Sequence, residues 1–162
     1  IRNGLKQGNV TVVISPDSGC KETYKKIKRV DRFNKVWENI KHYRKNLKEE
    51  YANLVKVKYI IIPGINDNLD EVLVFLEAIK NLDIKSIIVD IEYSYANTHI
   101  NNISPHIFIL MDYIENFANQ NNINFELYDS AKYAILNRVE EKLKNFDTNY
   151  IRKEISKYSN IL

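Results

Sequence analysis

The chain has 162 residues, 44% of them hydrophobic, which is enough for the core of one domain and short for two. With 24 basic and 21 acidic residues the net charge is +3, too weak and too evenly mixed to mark a nucleic-acid surface. A single cysteine excludes an internal disulfide and any zinc or iron–sulfur cage built from this chain's thiolates alone, and no apolar stretch reaches the ~18 residues of a membrane span.

Residues 1–7, IRNGLKQ, read as the tail of a helix that Gly8 closes in a left-handed turn. A chain that opens in mid-element reads as a piece of a longer polypeptide, and with no signal-like segment its expected location is the cytoplasm. A first strand over Val10–Ile14 stops in Ser15-Pro16-Asp17-Ser18-Gly19. Pro16 removes a backbone donor and ends the pairing, and Gly19 permits an unusual turn. A short helix over about Lys21–Ile27 follows. A longer one starts at Arg32 behind Asp31 as its cap, with Phe33, Val36, Trp37, Ile40, Tyr43 and Leu47 at helical spacing. The basic runs Lys21–Arg32 and Lys41–Lys48 fall in these helices and read as solvated faces.

The second strand is expected at Val57–Ile62. Its run Tyr59-Ile60-Ile61-Ile62 shows no apolar–polar alternation, as in a strand buried on both faces of a parallel sheet. Lys58 would be costly to bury without a partner, so it belongs at the strand's edge or faces a polar ligand inside a barrel. The loop from Pro63 leads to a helix at Asn68, with Glu71 at capping-box spacing and Leu69, Val72, Leu73 and Leu76 as its inner stripe. The third strand, Ser86–Ile91, is read on toward Tyr95. Alternation then sends Asp90, Glu92 and Ser94 to one face, where paired carboxylates suit a cation or an amino group.

Ser104 caps the next helix, Pro105 takes its first turn, and Ile107, Leu110, Met111, Ile114 and Phe117 repeat. A strand over Ile123–Leu127 follows, then a helix from Asp129 with Ala131, Ile135, Val139 and Leu143 on one face. A short helix over about Thr148–Tyr158 closes the chain. His42 reads as a surface residue, His99 and His106 are too scattered for a metal site, and Cys20 reads as inert.

Strand then helix, four times over, predicts one α/β domain across residues 1–162. The expected form is a parallel sheet of about four strands with covering helices on one outer face, half of a (β/α) barrel. In such sheets the loops after the strands' C-terminal ends carry the ligand groups, which marks Ser15, Asp17, Ser18, Asn66 and Asp67. A half-barrel leaves apolar surface to be covered by neighbouring copies, by the C-terminal helix or by rearrangement, so a homo-oligomer, a dimer or higher species, is expected.

Taken together, ISPDSGCKETYKKIK, Phe33-x-x-Val36-x-x-x-Ile40, KYIIIPGIND and IIVDIEYS resemble the second half of the partial barrel of a radical S-adenosylmethionine (radical SAM) enzyme. The resemblance covers about residues 9–95. It implies a parent enzyme that uses S-adenosylmethionine and a [4Fe–4S] cluster, with this chain as the C-terminal part of its core. Ser15, Asp17 and Ser18 then match the polar strand end that contacts the ribose or amino-acid part of S-adenosylmethionine. Lys28 matches the basic residue that reaches the methionine carboxylate, and Pro63 to Asn66 lie along the adenine. Lys58, Asp90 and Glu92 are the expected substrate contacts. The C-x-x-x-C-x-x-C motif that ligates the cluster is absent from this sequence, so no metal ligand is assigned and the chain alone is expected to be inactive. Two other readings stay open on the residues. One is a stand-alone α/β binding or interaction module without radical chemistry. The other is half of an unrelated (β/α)8 hydrolase or aldolase with Lys58 as the reactive group.

Overall fold

The computed structural model describes residues 2–99 and 102–145. Four strands pair in parallel and in sequence order: β1 (Val12–Ile14), β2 (Val55–Ile61), β3 (Ser86–Ile91) and β4 (Asn124–Leu127). A short α1 (Arg2–Lys6) precedes them. Gly8, at φ 75°, ends α1 by donating its N–H to the Leu5 carbonyl at 3.1 Å. Between the strands run α2 (Lys21–Lys28), α3 (Phe33–Lys45), a 3-10 turn (Glu49–Leu54), α4 (Leu69–Asn81), α5 (Tyr93–Thr98) and α6 (Pro105–Gln120); α7 (Asp129–Asn145) follows β4. The arrangement is α/β and consistent with half of an α/β barrel. Among the described residues no helix is long and apolar enough to cross a membrane.

Alternation along the strands assigns the two faces of the sheet. Val57 lies opposite Ile87, and Ile87 opposite Phe125, so Val55, Val57, Tyr59, Ile61, Ile87, Val89 and Ile91 share one face, all of them buried. Against it pack Ile40 of α3, Val72, Phe75, Leu76 and Ile79 of α4, and Ile107, Leu110, Met111 and Ile114 of α6. Each such side chain contributes roughly 1.5–3 kcal/mol on burial, so this face holds the fold. A series of edge-on and tilted rings, Tyr24, Phe33, Trp37, Phe75 and Tyr59, runs from α2 through α3 and α4 to β2.

The opposite face carries Val13, Lys56, Lys58, Ile60, Ser86, Ile88, Asp90, Asn124 and Glu126. Its charges are paired. Lys56 Nζ lies 2.5 Å from Glu126 Oε1, and Lys58 Nζ 2.7 Å from Asp90 Oδ2. Helices were expected on the outer face only, but α7 begins against this one: the Ala131 N–H donates to Asp90 Oδ1 at 3.2 Å. A buried N–H at a helix start needs an acceptor, and a strand carboxylate supplies it.

Several sequence expectations shift. β2 starts two residues earlier than expected and alternates between buried and half-buried residues, so burial on both faces holds for β3 and not for β2. In α4 the inner stripe is Val72, Phe75, Leu76 and Ile79, while Leu69 and Leu73 are exposed. The expected stripe was rotated by part of a turn. Arg32, not Asp31, occupies the cap of α3 and makes no side-chain cap bond; Asp31 pairs with Lys21 at 3.4 Å in solvent. Arg44, read as part of a solvated basic face, is buried. Its Nε donates to the Asp83 carbonyl at 2.7 Å, and its Nη2 pairs with Glu49 at 2.6 Å and with the Asp83 carboxylate. The Lys85 ammonium, with Arg44 beside it, holds the Asp83 carboxyl below its ordinary range. The helix expected at about Thr148–Tyr158 and the side chains of Val139 and Leu143 lie outside the described residues.

Candidate functional site

The loop after β1 turns inward. Asp17 sits in the left-handed region, at φ 56°, which a short polar side chain tolerates better than most. Its side chain is 2% exposed. Oδ1 accepts the Ile60 N–H at 3.2 Å, and Oδ2 lies 2.5 Å from Lys28 Nζ. Burial pushes the Asp17 carboxyl above its ordinary value, outweighing the pull of Lys28.

Ser18, fully buried, lies 2.9 Å from Glu71 Oε2 and accepts the Cys20 N–H at 2.8 Å. Glu71 Oε1 accepts from Thr23 Oγ1 at 2.5 Å. Only half of the expected capping box therefore forms. Asn68 Oδ1 accepts the Glu71 N–H at 3.1 Å, while the Glu71 carboxylate ties α4 to the β1 loop and to α2. Gly19 is needed for a different reason than a turn. A Cβ there would meet Phe75 N at 2.5 Å and Val74 C at 2.6 Å, so the loop rests directly on the backbone of α4.

Asn66 binds the second loop to the first. Its Nδ2 donates to the Asp17 carbonyl at 2.7 Å and to the Ile60 carbonyl at 2.9 Å, and its Oδ1 accepts the Ile62 N–H at 2.6 Å. The buried Tyr59 hydroxyl donates to the Asn66 carbonyl at 2.7 Å, and burial pushes that hydroxyl's pKa far up.

Asp17, Ser18, Lys28 and Asn66 thus meet just past the C-terminal ends of β1 and β2, with half-buried Ser15 in the same loop. Three of these five commit their side-chain polar atoms inside the protein. Lys28 is the group that looks outward. Its side chain is 30% exposed and rests on a buried carboxylate. An ammonium has three N–H donors, so anchoring one leaves two for a ligand.

The expected substrate residues divide. Lys58 is 12% exposed, pairs with Asp90 and lies 3.7 Å from the centre of the Tyr128 ring. Asp90 Oδ1 also accepts the Ile91 N–H at 3.0 Å. Glu92 does not join them. β3 ends at Ile91, strand alternation stops there, and Glu92 caps α5 by accepting the N–H groups of Ser94 at 3.0 Å and Tyr95 at 2.7 Å. Burial pushes the Glu92 carboxyl up, but these bonds outweigh it and hold the group below its ordinary value. The expected Asp90–Glu92 pair on one face is therefore absent. Sequence reasoning missed the Lys56–Glu126 pair instead, although Val55-Lys56-Val57-Lys58-Tyr59 alternates openly. The Lys56 hydrogen bond holds the Glu126 carboxyl below its ordinary value.

Asp67 has Oδ1 on the Gly64 N–H at 2.8 Å and Oδ2 on His106 Nε2 at 2.9 Å; His106 Nδ1 lies 2.7 Å from Ser104 Oγ. His99 stacks on Tyr95. Among the described residues no group of three or more His, Cys, Asp or Glu is placed to hold a metal ion. No protein-family model matches the chain, and neither a curated protein nor a solved structure is significantly similar to it.

Proposed function

We propose that this chain supplies the S-adenosylmethionine-facing and substrate-facing wall of a radical SAM barrel, as the C-terminal part of its core. The observation that carries the reading is Lys28, a partly exposed cation anchored on buried Asp17 at the rim of a parallel sheet. A cation fixed in that way suits a ligand carboxylate, and S-adenosylmethionine ends in one. Ser15, half-buried in the same loop as Asp17, is suited to a ribose hydroxyl. Asp17, Ser18 and Asn66 hold this loop and Lys28 in place. On the charged face of the sheet Lys58, held by Asp90, is the ordered cation for a polar substrate.

A [4Fe–4S] cluster needs several thiolates, and a donor set with one cysteine does not fit it. Its ligation therefore belongs to residues outside this sequence, and the chain's own part is binding and orientation. A cytoplasmic setting belongs to the same reading.

The test is calorimetric titration of S-adenosylmethionine into the proposed parent enzyme and its Lys28→Gln variant. Glutamine keeps a hydrogen-bond donor and removes the charge. One lost charge-assisted contact of roughly 1.5–3 kcal/mol weakens binding about ten- to a hundredfold. Equal affinities, or no binding to either protein, would reject the proposal.

A further inference from the structure

Asp67, His106 and Ser104 form a connected series at the same rim, drawn from the loop after β2 and the start of α6. A carboxylate only accepts, so His106 Nε2 carries the proton it shares with Asp67. In the neutral imidazole, the form that can act as a base, Nδ1 is the acceptor for the Ser104 hydroxyl 2.7 Å away. His106 stands within hydrogen-bond reach of both the nucleophile and the orienting carboxylate, the arrangement that activates a serine. The roles are those of a hydrolase triad with the two ring nitrogens exchanged.

Two observations set this series apart from ordinary helix capping. Ser104 directly precedes α6 yet makes no side-chain bond to the helix backbone, because its hydroxyl is turned to the imidazole. Asp67 stands one residue before the cap of α4, but Asn68 does the capping, and Asp67 is held by the Gly64 N–H with its second oxygen on His106. The site is open: the His106 side chain is 48% exposed and Ser104 is half-buried. Ser104 also lies at the positive end of a 16-residue helix, which favours negative charge developing on a reacting oxygen.

We infer that Ser104 is an activated nucleophile, with His106 as its base and Asp67 as the orienting group, in an acyl-transfer site for ester substrates. In the first step Ser104 Oγ bonds to the ester carbonyl carbon and its proton passes to His106 Nδ1. The ester C–O bond breaks, and the alcohol leaves with that proton. Water then attacks the acyl-serine, gives its proton to His106, and releases the carboxylic acid as Ser104 recovers its hydrogen. No redox partner or metal is required. The inference does not rest on the S-adenosylmethionine reading.

A fluorophosphonate probe tests it on the chain as it stands, because the Ser104 Oγ–P bond forms as P–F breaks and fluoride leaves. Peptide mass spectrometry is expected to find one adduct, on Ser104. His106→Ala, which alters a half-exposed side chain, should slow labelling about a hundredfold or more. Asp67→Asn keeps the oxygen that accepts from Gly64 and should slow labelling too; if His106→Ala does not fold, this variant decides on the same readout. No adduct on Ser104, or labelling at the wild-type rate in the folded variants, overturns the inference.

Discussion

Asp17 does two things at once: it closes a strained turn and anchors the one outward cation of the site. Removing it should therefore cost stability, contrary to what a rim-loop position alone suggests. Asp17→Ala leaves the Ile60 N–H without its acceptor and places alanine at positive φ, a loss of roughly 2–3 kcal/mol in urea unfolding. Asp17→Asn keeps the acceptor, tolerates the turn, and should lose clearly less. The pH dependence follows from the raised carboxyl. The folded chain holds this proton more tightly than the unfolded chain. Asp17's contribution is therefore complete below the ordinary carboxyl value and is lost as pH rises through the raised one. Measured upward from about pH 4, the unfolding free energy of the wild type should decline relative to that of Asp17→Asn, because the lowered carboxyls Asp83, Glu92 and Glu126 titrate alike in both. Parallel declines in both proteins would assign it elsewhere. The sequence pointed to Asp17 and Asn66 because loops after parallel strands open on one rim. It could not show that their side chains turn inward, since Ile60, Ile62 and Lys28 become neighbours only in the folded chain.

At the scale of elements, close approach and helix capping explain what periodicity left out. Gly19→Ala would force the β1 loop off the backbone of α4 and should cost about 2 kcal/mol or more, read by thermal or urea unfolding. A neutral substitution would mean that the loop does not rest on α4. The Lys58–Asp90 pair carries an asymmetric prediction. Asp90→Ala leaves Lys58 and the Ala131 N–H unpaired, for a loss of roughly 3 kcal/mol. Lys58→Met leaves Asp90 still accepting from Ile91 and Ala131, and should cost less than half of that. The reverse order would refute Asp90 as the joint between β3 and α7. The α6 repeat was legible because Pro105 fixes where it starts. The α4 stripe was not, because Leu69 and Leu73 are as apolar as the residues that are buried. Glu92 was misread because a carboxylate at a strand end and one at a helix cap look alike until the strand's last residue is known.

For the whole molecule, four strand–helix units were enough to foresee a parallel sheet in sequence order, because right-handed crossovers leave few alternatives. The two faces differ in what each can do. One is apolar and locked by α3, α4 and α6, and the other carries paired charges and leads to the rim where Lys28 stands. Lys28, held by Asp17, is proposed to meet a ligand carboxylate at that rim. The most direct measurement compares S-adenosylmethionine with its decarboxylated analogue in titrations of the proposed parent enzyme and its Lys28→Gln variant. Lys28→Gln should weaken S-adenosylmethionine about ten- to a hundredfold and leave the decarboxylated analogue nearly unchanged. Equal losses for both ligands, or no loss for either, would contradict the claim.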